Sequence, residues 1–282
     1  MKFSVFIAVL LLPFTLAAAV SESEETVLTP AGPLPASNVH PVPKGGSINI
    51  LGNEIQLLDA ANNIVHVAQV NNTKLPQWQS GWIAYASWYN TGSSPISYFD
   101  TTWTVPPAPV TYNGQLVYLF NSIEPASGTA ILQPVLQYGV SPAGGGAYWS
   151  VANWYVYGNN AYHTSLVNVA VGQALDGIIA LTSTSASGYN YVSLFNGIGD
   201  VLPLNNSAQL VWATETLEAY GITTGTDYPS GSTLFYNINL YTTSGIPLVS
   251  WSVNNDVADG LYASVVIDGP TNAAVQITYP TN

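Results

Sequence analysis

From Trp78 to its end the chain is divided into short runs rich in Val, Ile, Thr, Tyr and Trp, each stopped by Gly, Pro, Asn or Ser, and no other feature constrains the fold as much. The runs cover residues 82–89, 96–105, 116–121, 148–157, 165–171, 178–183, 189–195, 208–218, 233–241 and 264–279. They are strand-length, β-branched and aromatic, and almost none carries the 3.6-residue period or capping box of a helix. Many short strands at turn spacing imply an all-β fold, a sandwich or a barrel.

Composition narrows what such a fold can be. With 282 residues and no cysteine, a large core must do the work of disulfides, and no thiolate metal site or Cys nucleophile is available. Residues 1–19 read as a secretory signal peptide, with Lys2, an apolar stretch broken by Pro13, and Ala17-Ala18-Ala19 for cleavage. The expected location is extracellular. Residues 20–77 read as a leader or pro-segment: up to about Pro43 there is little periodicity, as in disorder, whereas 47–70 alternate about Asp59-Ala60-Ala61-Asn62-Asn63 as a hairpin would. Residues 78–282 form the expected sandwich domain, and a composition change near Lys74 suggests a processing point. Asn71 and Asn205 head glycosylation sequons. The only basic residues are Lys2, Lys44 and Lys74, and the net charge is −12. This excludes nucleic acid and anionic membranes as partners and suits an acidic exterior, where protonation relieves self-repulsion.

Several chemistries are excluded in turn. There is no G-x-S-x-G elbow, and His163 is the only histidine after His66, leaving little for a Ser-His-Asp site. Asp100-Thr101-Thr102 lacks the glycine of an aspartic-protease turn. Ala143-Gly144-Gly145-Gly146-Ala147 has no following Lys-Ser/Thr for phosphate, and Asn254-Asn255-Asp256 with Asp259-Gly260 lacks the spacing of a calcium loop, so neither metal nor cofactor is expected. What remains is amide and carboxylate chemistry. In residues 128–139, GTAILQPVLQYG, alternation places Ile131, Gln133, Val135 and Gln137 on one face, so an uncharged amide enters an apolar run. It is either a bonded core amide or a group offered to a substrate, and Pro134 beside it signals an edge or bulge. In AQLVWATETLEAY, Trp212, Thr214, Thr216 and Glu218 share one face, and Val211, Ala213, Glu215 and Leu217 the other. Either glutamate is a solvated strand-end carboxylate or a desolvated acid suited to handling protons. The aromatic run WSVANWYVY, with Trp149, Asn153, Trp154 and Tyr155, packs a sheet or lines a polymer-binding groove.

These residues resemble those of the eqolisins, the glutamic peptidases of fungi and some bacteria. Thr129-Ala130-Ile131-Leu132-Gln133 is similar to the family's TAILQ segment with its catalytic glutamine, Trp103-Thr104-Val105-Pro106 to a strand ending in Val-Pro, and residues 149–157 to the strand Y-x-A-W-Y-E-W-Y-P. Ala213-Thr214-Glu215-Thr216-Leu217-Glu218 resembles A-E-W-I-V-E and sets Glu218 at the catalytic position. A register matching Trp212-Ala213-Thr214-Glu215 to W-I-V-E selects Glu215 instead. Asn153 stands where the family has a glutamate, Pro134 replaces a Thr-Gly, and Tyr118-Leu119-Phe120 replaces part of W-V-G-I-D-G, which marks a divergent branch. The resemblance implies a jelly-roll sandwich of two antiparallel sheets of the concanavalin A-like lectin and glucanase type. It also implies a monomeric, secreted acid endopeptidase acting on polypeptide, with Gln133 and Glu218 as its dyad and Trp149, Asn153, Trp154 and Tyr155 contacting substrate.

The same architecture also serves sugars, so a glycan-binding or glucanase-like sandwich, or a catalytically silent relative, is the alternative. A retaining glycosidase needs two carboxylates about 5 Å apart, and Glu215 and Glu218 fall on opposite faces of a regular strand. The decisive expectation is geometric: for a peptidase, Gln133 and one glutamate must share a cleft.

Overall fold

The computed structural model describes residues 24–70, 81–255 and 260–280. The signal peptide, Asn71, Lys74, Asp256 and Asp259 lie outside them. Among the described residues there are strands and two short 3-10 turns but no α-helix, arranged as two large sheets and one small hairpin, the expected jelly-roll sandwich. None of these residues forms a helix long and apolar enough to cross a membrane.

The first sheet runs, neighbour to neighbour, through Ser252–Asn255, Trp82–Tyr89, Leu210–Tyr220, Leu116–Pro125, Ala130–Ser141, Gly144–Tyr157, Asn160–His163 and Val39–Pro41, with Val167–Asn168 also on Gly144–Tyr157. The second runs through Tyr262–Ile267, Ala273–Thr278, Ser232–Thr242, Ile96–Thr104, Ala174–Ser185, Gly188–Phe195, Ile198–Ser207, Ser47–Leu51, Glu54–Leu58 and Ile64–Gln69. The chain crosses repeatedly from one sheet to the other, so side chains alternate between the space separating the sheets and an outer face. The inter-sheet core includes Phe99, Trp103, Val117, Leu119, Ile123, Leu132, Leu136, Ile179, Leu217, Phe235 and Val275.

All of these pairings are antiparallel except two, and both exceptions involve the leader. Val39–Pro41 joins Asn160–His163, and Ser47–Leu51 joins Ile198–Ser207, in parallel. Residues 24–41, expected to be disordered, are thus ordered: Thr26–Thr29 and Gly32–Pro35 form a hairpin, and Val39–Pro41 extends the first sheet. Their order is borrowed. The sheet supplies hydrogen bonds and apolar contacts that the segment's own sequence pattern does not announce. The hairpin expected over 47–70 is a three-strand meander on the second sheet.

Close approach of the sheets is set partly by Gly177. A Cβ there would lie 2.6 Å from Asn121 Oδ1 and 2.8 Å from the Trp103 ring. That ring is fully buried, with its centroid 5.3 Å from Phe235 and 5.7 Å from Phe195. Trp103→Ala is therefore expected to cost about 3–5 kcal/mol, because the cavity between two rigid sheets cannot collapse fully. Denaturant unfolding checks this, and a loss below about 1 kcal/mol would show that the ring is not a keystone of the core.

Candidate active site

Period-two alternation separates the two glutamates. Glu215 points between the sheets, where the Thr101 hydroxyl of the second sheet donates to its Oε1, and Glu218 points to the outer face. Gln133 lies on that same outer face with Ile131 and Val135, opposite Trp154 on the neighbouring strand. All three polar side chains are fully buried. An outer face would normally be wet, but here the leader hairpin covers it. Leu28, Ala31 and Leu34 pack on Tyr118, Phe120, Ile131, Val135 and Trp154 to form a second apolar core. Burial of Leu34 alone stabilises this seating by about 1.5–3 kcal/mol.

The tip of the hairpin is where the polar groups meet. The Gln133 amide donates to the Pro30 carbonyl, and the Tyr118 hydroxyl donates to Leu28 O at 3.3 Å. The Ala31 amide turns back to Thr29 O at 2.8 Å, and the Thr29 hydroxyl donates to Gly32 O at 2.8 Å, which keeps the tip tight. Gly32 allows the turn, with φ at 110°. Glu218 accepts from the Tyr220 hydroxyl, while the Trp82 indole and the Gly32 amide approach the same carboxylate. Those last two contacts are weaker: Oε2 of Glu218 has no well-formed hydrogen bond, and neither does Oε1 of Gln133 or Nε1 of Trp154.

The strand registers fix the spacing of the pair. Leu132 pairs with Ile123, and Thr214 with Ser122, so Gln133 shares a row with Ser122 and Thr214. Glu218 pairs with Tyr118, which pairs with Gln137. Ordinary strand geometry then separates the two backbones by about 13 Å along the strands and about 10 Å across them. The hairpin tip bridges the space between the side chains. Ser122, Thr214 and Thr216, all fully buried, form a hydroxyl chain along this space, with contacts of 2.7 and 2.8 Å. Sequence reasoning placed Thr214 and Thr216 on the face of Glu218 but missed their link to Ser122, and it missed Tyr220 and Trp82 as neighbours of Glu218. A tyrosine two residues after a strand glutamate is the signal that could have found the first of these.

Of the expected substrate residues, the structure brings only Trp154 to this face. Trp149, Asn153 and Tyr155 have the opposite parity and turn between the sheets. There Trp149 packs on Tyr138, and Asn153 bonds Asp200 O and the Ser193 hydroxyl at 2.8 Å each. Alternation was legible in this run, but with both faces buried the sequence could not say which was outer. Asn205 is half-buried in Ile198–Ser207. No group of three or more His, Asp or Glu among the described residues is arranged to hold a metal.

The electrostatics follow from burial without counter-ions. Desolvation raises Glu218 well above the usual carboxylate range, against the lowering effect of Tyr220, Trp82 and Gly32. Desolvation likewise raises Glu215, opposed by Thr101 and assisted by Asp100.

A search of solved structures finds a scytalido-glutamic peptidase with a transition state analog inhibitor, at a TM-score of 0.45 and 16% identity over 72% of this chain and 99% of that one. No family model and no curated protein matches the chain. At that level of likeness, what the site does must be argued from this chain's own residues.

Glu215 gives a test of the electrostatics. An acid raised in the folded state contributes stability that is full below its ordinary value of 4.5 and is lost as pH rises through the folded value. Glu215→Gln, which keeps the Thr101 hydrogen bond, should therefore unfold at a higher temperature than the parent at pH 7 and at nearly the same temperature at pH 4. Parallel melting curves at both pH values would show that Glu215 is not held protonated.

Proposed function

We propose that this chain is a secreted endopeptidase of the glutamic type, with Gln133 and Glu218 as its catalytic pair. One observation carries the reading: a length of polypeptide lies across the outer face, the Pro30 carbonyl on the Gln133 amide and the Gly32 amide beside the Glu218 carboxyl. That favours a peptide ligand over a sugar.

In the proposed reaction a substrate strand takes the place of the hairpin. The Gln133 amide hydrogen-bonds the scissile carbonyl oxygen and strengthens that bond as negative charge develops there. With the hairpin displaced, water reaches Glu218 and relieves the desolvation that raises it, and the carboxylate removes a proton from a water attacking the carbonyl carbon. As the C–N bond breaks, it delivers that proton to the departing nitrogen. The Tyr220 hydroxyl favours the charged form that this step needs. Apolar walls from Tyr118, Phe120 and Trp154 exclude bulk water and suit apolar residues near the cleaved bond. The acid working range expected from the charge of −12 fits a chain with three lysines and no arginine.

Peptide hydrolysis by protein cleaved ahead of Ser47, which keeps the meander on the second sheet, followed between pH 2 and 7, tests the pair. Gln133→Ala and Glu218→Gln should each lower kcat by about a hundredfold or more while leaving the circular dichroism of the sandwich unchanged. Glu215→Gln should leave kcat within a few-fold. Activity that survives in Gln133→Ala, or that is lost only in Glu215→Gln, would remove this assignment. Glucan binding with no hydrolysis would replace it with the sugar reading.

A further inference from the structure

The hairpin covers one half of the outer face and leaves the other half open. Leu28, Ala31 and Leu34 share an apolar cluster with residues of Leu116–Pro125, Ala130–Ser141, Gly144–Tyr157 and Asn160–His163. The next two strands of the sheet, Leu210–Tyr220 and Trp82–Tyr89, meet that cluster only through Tyr220 and Trp82. On this open half stands a second aromatic assembly. Trp82 stacks on Trp212 with centroids 5.9 Å apart and planes at 24°, Tyr85 meets the two rings edge-on at 5.2 and 6.2 Å, and Phe120 meets Trp82 at 5.9 Å.

The strand registers set Trp82 beside Glu218, Tyr85 beside Thr216 and Trp212 beside Tyr89, so the assembly lies on the face of the proposed catalytic pair. Tyr85 is buried, and its hydroxyl is held by the Asn254 side chain of the neighbouring strand, which makes the base of the assembly rigid. Trp82 and Trp212 are half-buried, and Tyr89 is exposed. Glu124, which pairs with Trp212, is buried, so the assembly offers ring and not carboxyl to solvent. Single exposed rings are ordinary, but joined rings at the open end of a cleft form a contiguous apolar surface of the kind that marks an interaction site.

We propose that Trp82, Tyr85 and Trp212 form the specificity site for the second and third substrate residues after the cleaved bond, and that they select an aromatic or large aliphatic side chain there. That the occupant is a substrate strand rests on the peptidase reading above; that these rings take such a side chain does not. Continuity with the covered half of the cleft supplies the direction. From Pro30, whose carbonyl lies on Gln133, to Gly32, whose amide approaches Glu218, the hairpin crosses from Ala130–Ser141 to Leu210–Tyr220 and there turns back, with Gly32 at φ 110°. A substrate strand that does not turn keeps that heading. One strand spacing of about 4.8 Å separates Glu218 from Trp82, and an extended chain advances about 3.3 Å per residue, so the residue that meets Glu218 and the one after it come under the rings. Burial of a phenylalanine side chain against them, with edge-to-face contact, favours it over a small polar one by roughly ten- to a hundredfold.

The test compares kcat/KM for peptides with Phe, Leu, Ala or Ser at these two positions, using the protein cleaved ahead of Ser47. The parent should prefer Phe to Ser by roughly ten- to a hundredfold, and in Trp212→Ala the ratio should fall to within a few-fold of unity, with Trp212→Phe restoring part of it. Because the ratio is taken within one protein, a general loss of activity cancels. If Trp212→Ala does not fold, Trp212→Gln, which keeps a long side chain without an aromatic face, is read in the same way. A parent indifferent to the side chain, or a preference that survives removal of the indole, overturns the assignment. Calorimetry of the same peptides with Glu218→Gln protein keeps the two readings apart. A Trp212-dependent preference in binding, with no hydrolysis by the parent, removes the peptidase and keeps the aromatic site, and hydrolysis without any preference does the reverse. Binding of a soluble glucan that is lost in Trp212→Ala, with peptides ignored, overturns the proposal in favour of a sugar platform.

Discussion

The two-residue period of a single strand, Leu210–Tyr220, governs the site. Because neighbouring side chains point to opposite faces, glutamates three positions apart cannot share an environment. One is sealed between the sheets under the Thr101 hydroxyl, and the other joins Thr214, Thr216 and Tyr220 on the outer face. A slip of one residue would exchange them, placing Ala213 and Leu217 outside and a row of hydroxyls in the core. The apolar inter-sheet residues Ala213, Leu217 and Ala219 forbid that slip. Core packing thus chooses which carboxyl faces the cleft.

Lys44, exposed at the surface, is the only lysine or arginine among the described residues, and it meets neither glutamate. The sequence has Lys2, Lys44 and Lys74 and no arginine, so a buried carboxyl can reduce its cost only by accepting hydrogen bonds or by binding a proton. The structure uses both means. Thr101 and Tyr220 supply hydrogen bonds, and desolvation raises both acids towards the neutral form. A fold that holds protons on its buried acids gains stability from acid, in keeping with the net charge of −12.

The architecture was legible because turn spacing and β-branched runs are local properties. The amide of Gln133 was legible for a similar reason, since a glutamine inside TAILQPVLQ must find partners wherever that strand lies. The choice of glutamate was not, because Trp212-Ala213-Thr214-Glu215 and Thr216-Leu217-Glu218 offer equivalent local patterns, and only packing says which face is inward. The same ambiguity left the facing of residues 149–157 open, and the structure turns Trp154 outward while Trp149, Asn153 and Tyr155 turn between the sheets. The leader was the least legible part. Its hairpin has no amphipathic pattern of its own and becomes ordered by contact with a sheet roughly a hundred residues further along the chain, a kind of order that local periodicity cannot signal.

The leader consists of two unlike parts joined by Pro43, Lys44, Gly45 and Gly46, with Lys44 and Gly45 exposed. Before the joint lie a hairpin and a three-residue strand at one rim. After it, Ser47–Leu51 and its two companions continue the second sheet beyond Ile198–Ser207. Stripping away the first part exposes little backbone, but losing the second would bare the long strand Ile198–Ser207, a row of unpaired amides and carbonyls open to pairing with another molecule. The meander therefore acts as a hem for the sandwich, protecting solubility at one border, whereas the segment before the joint can leave without unravelling the sheet.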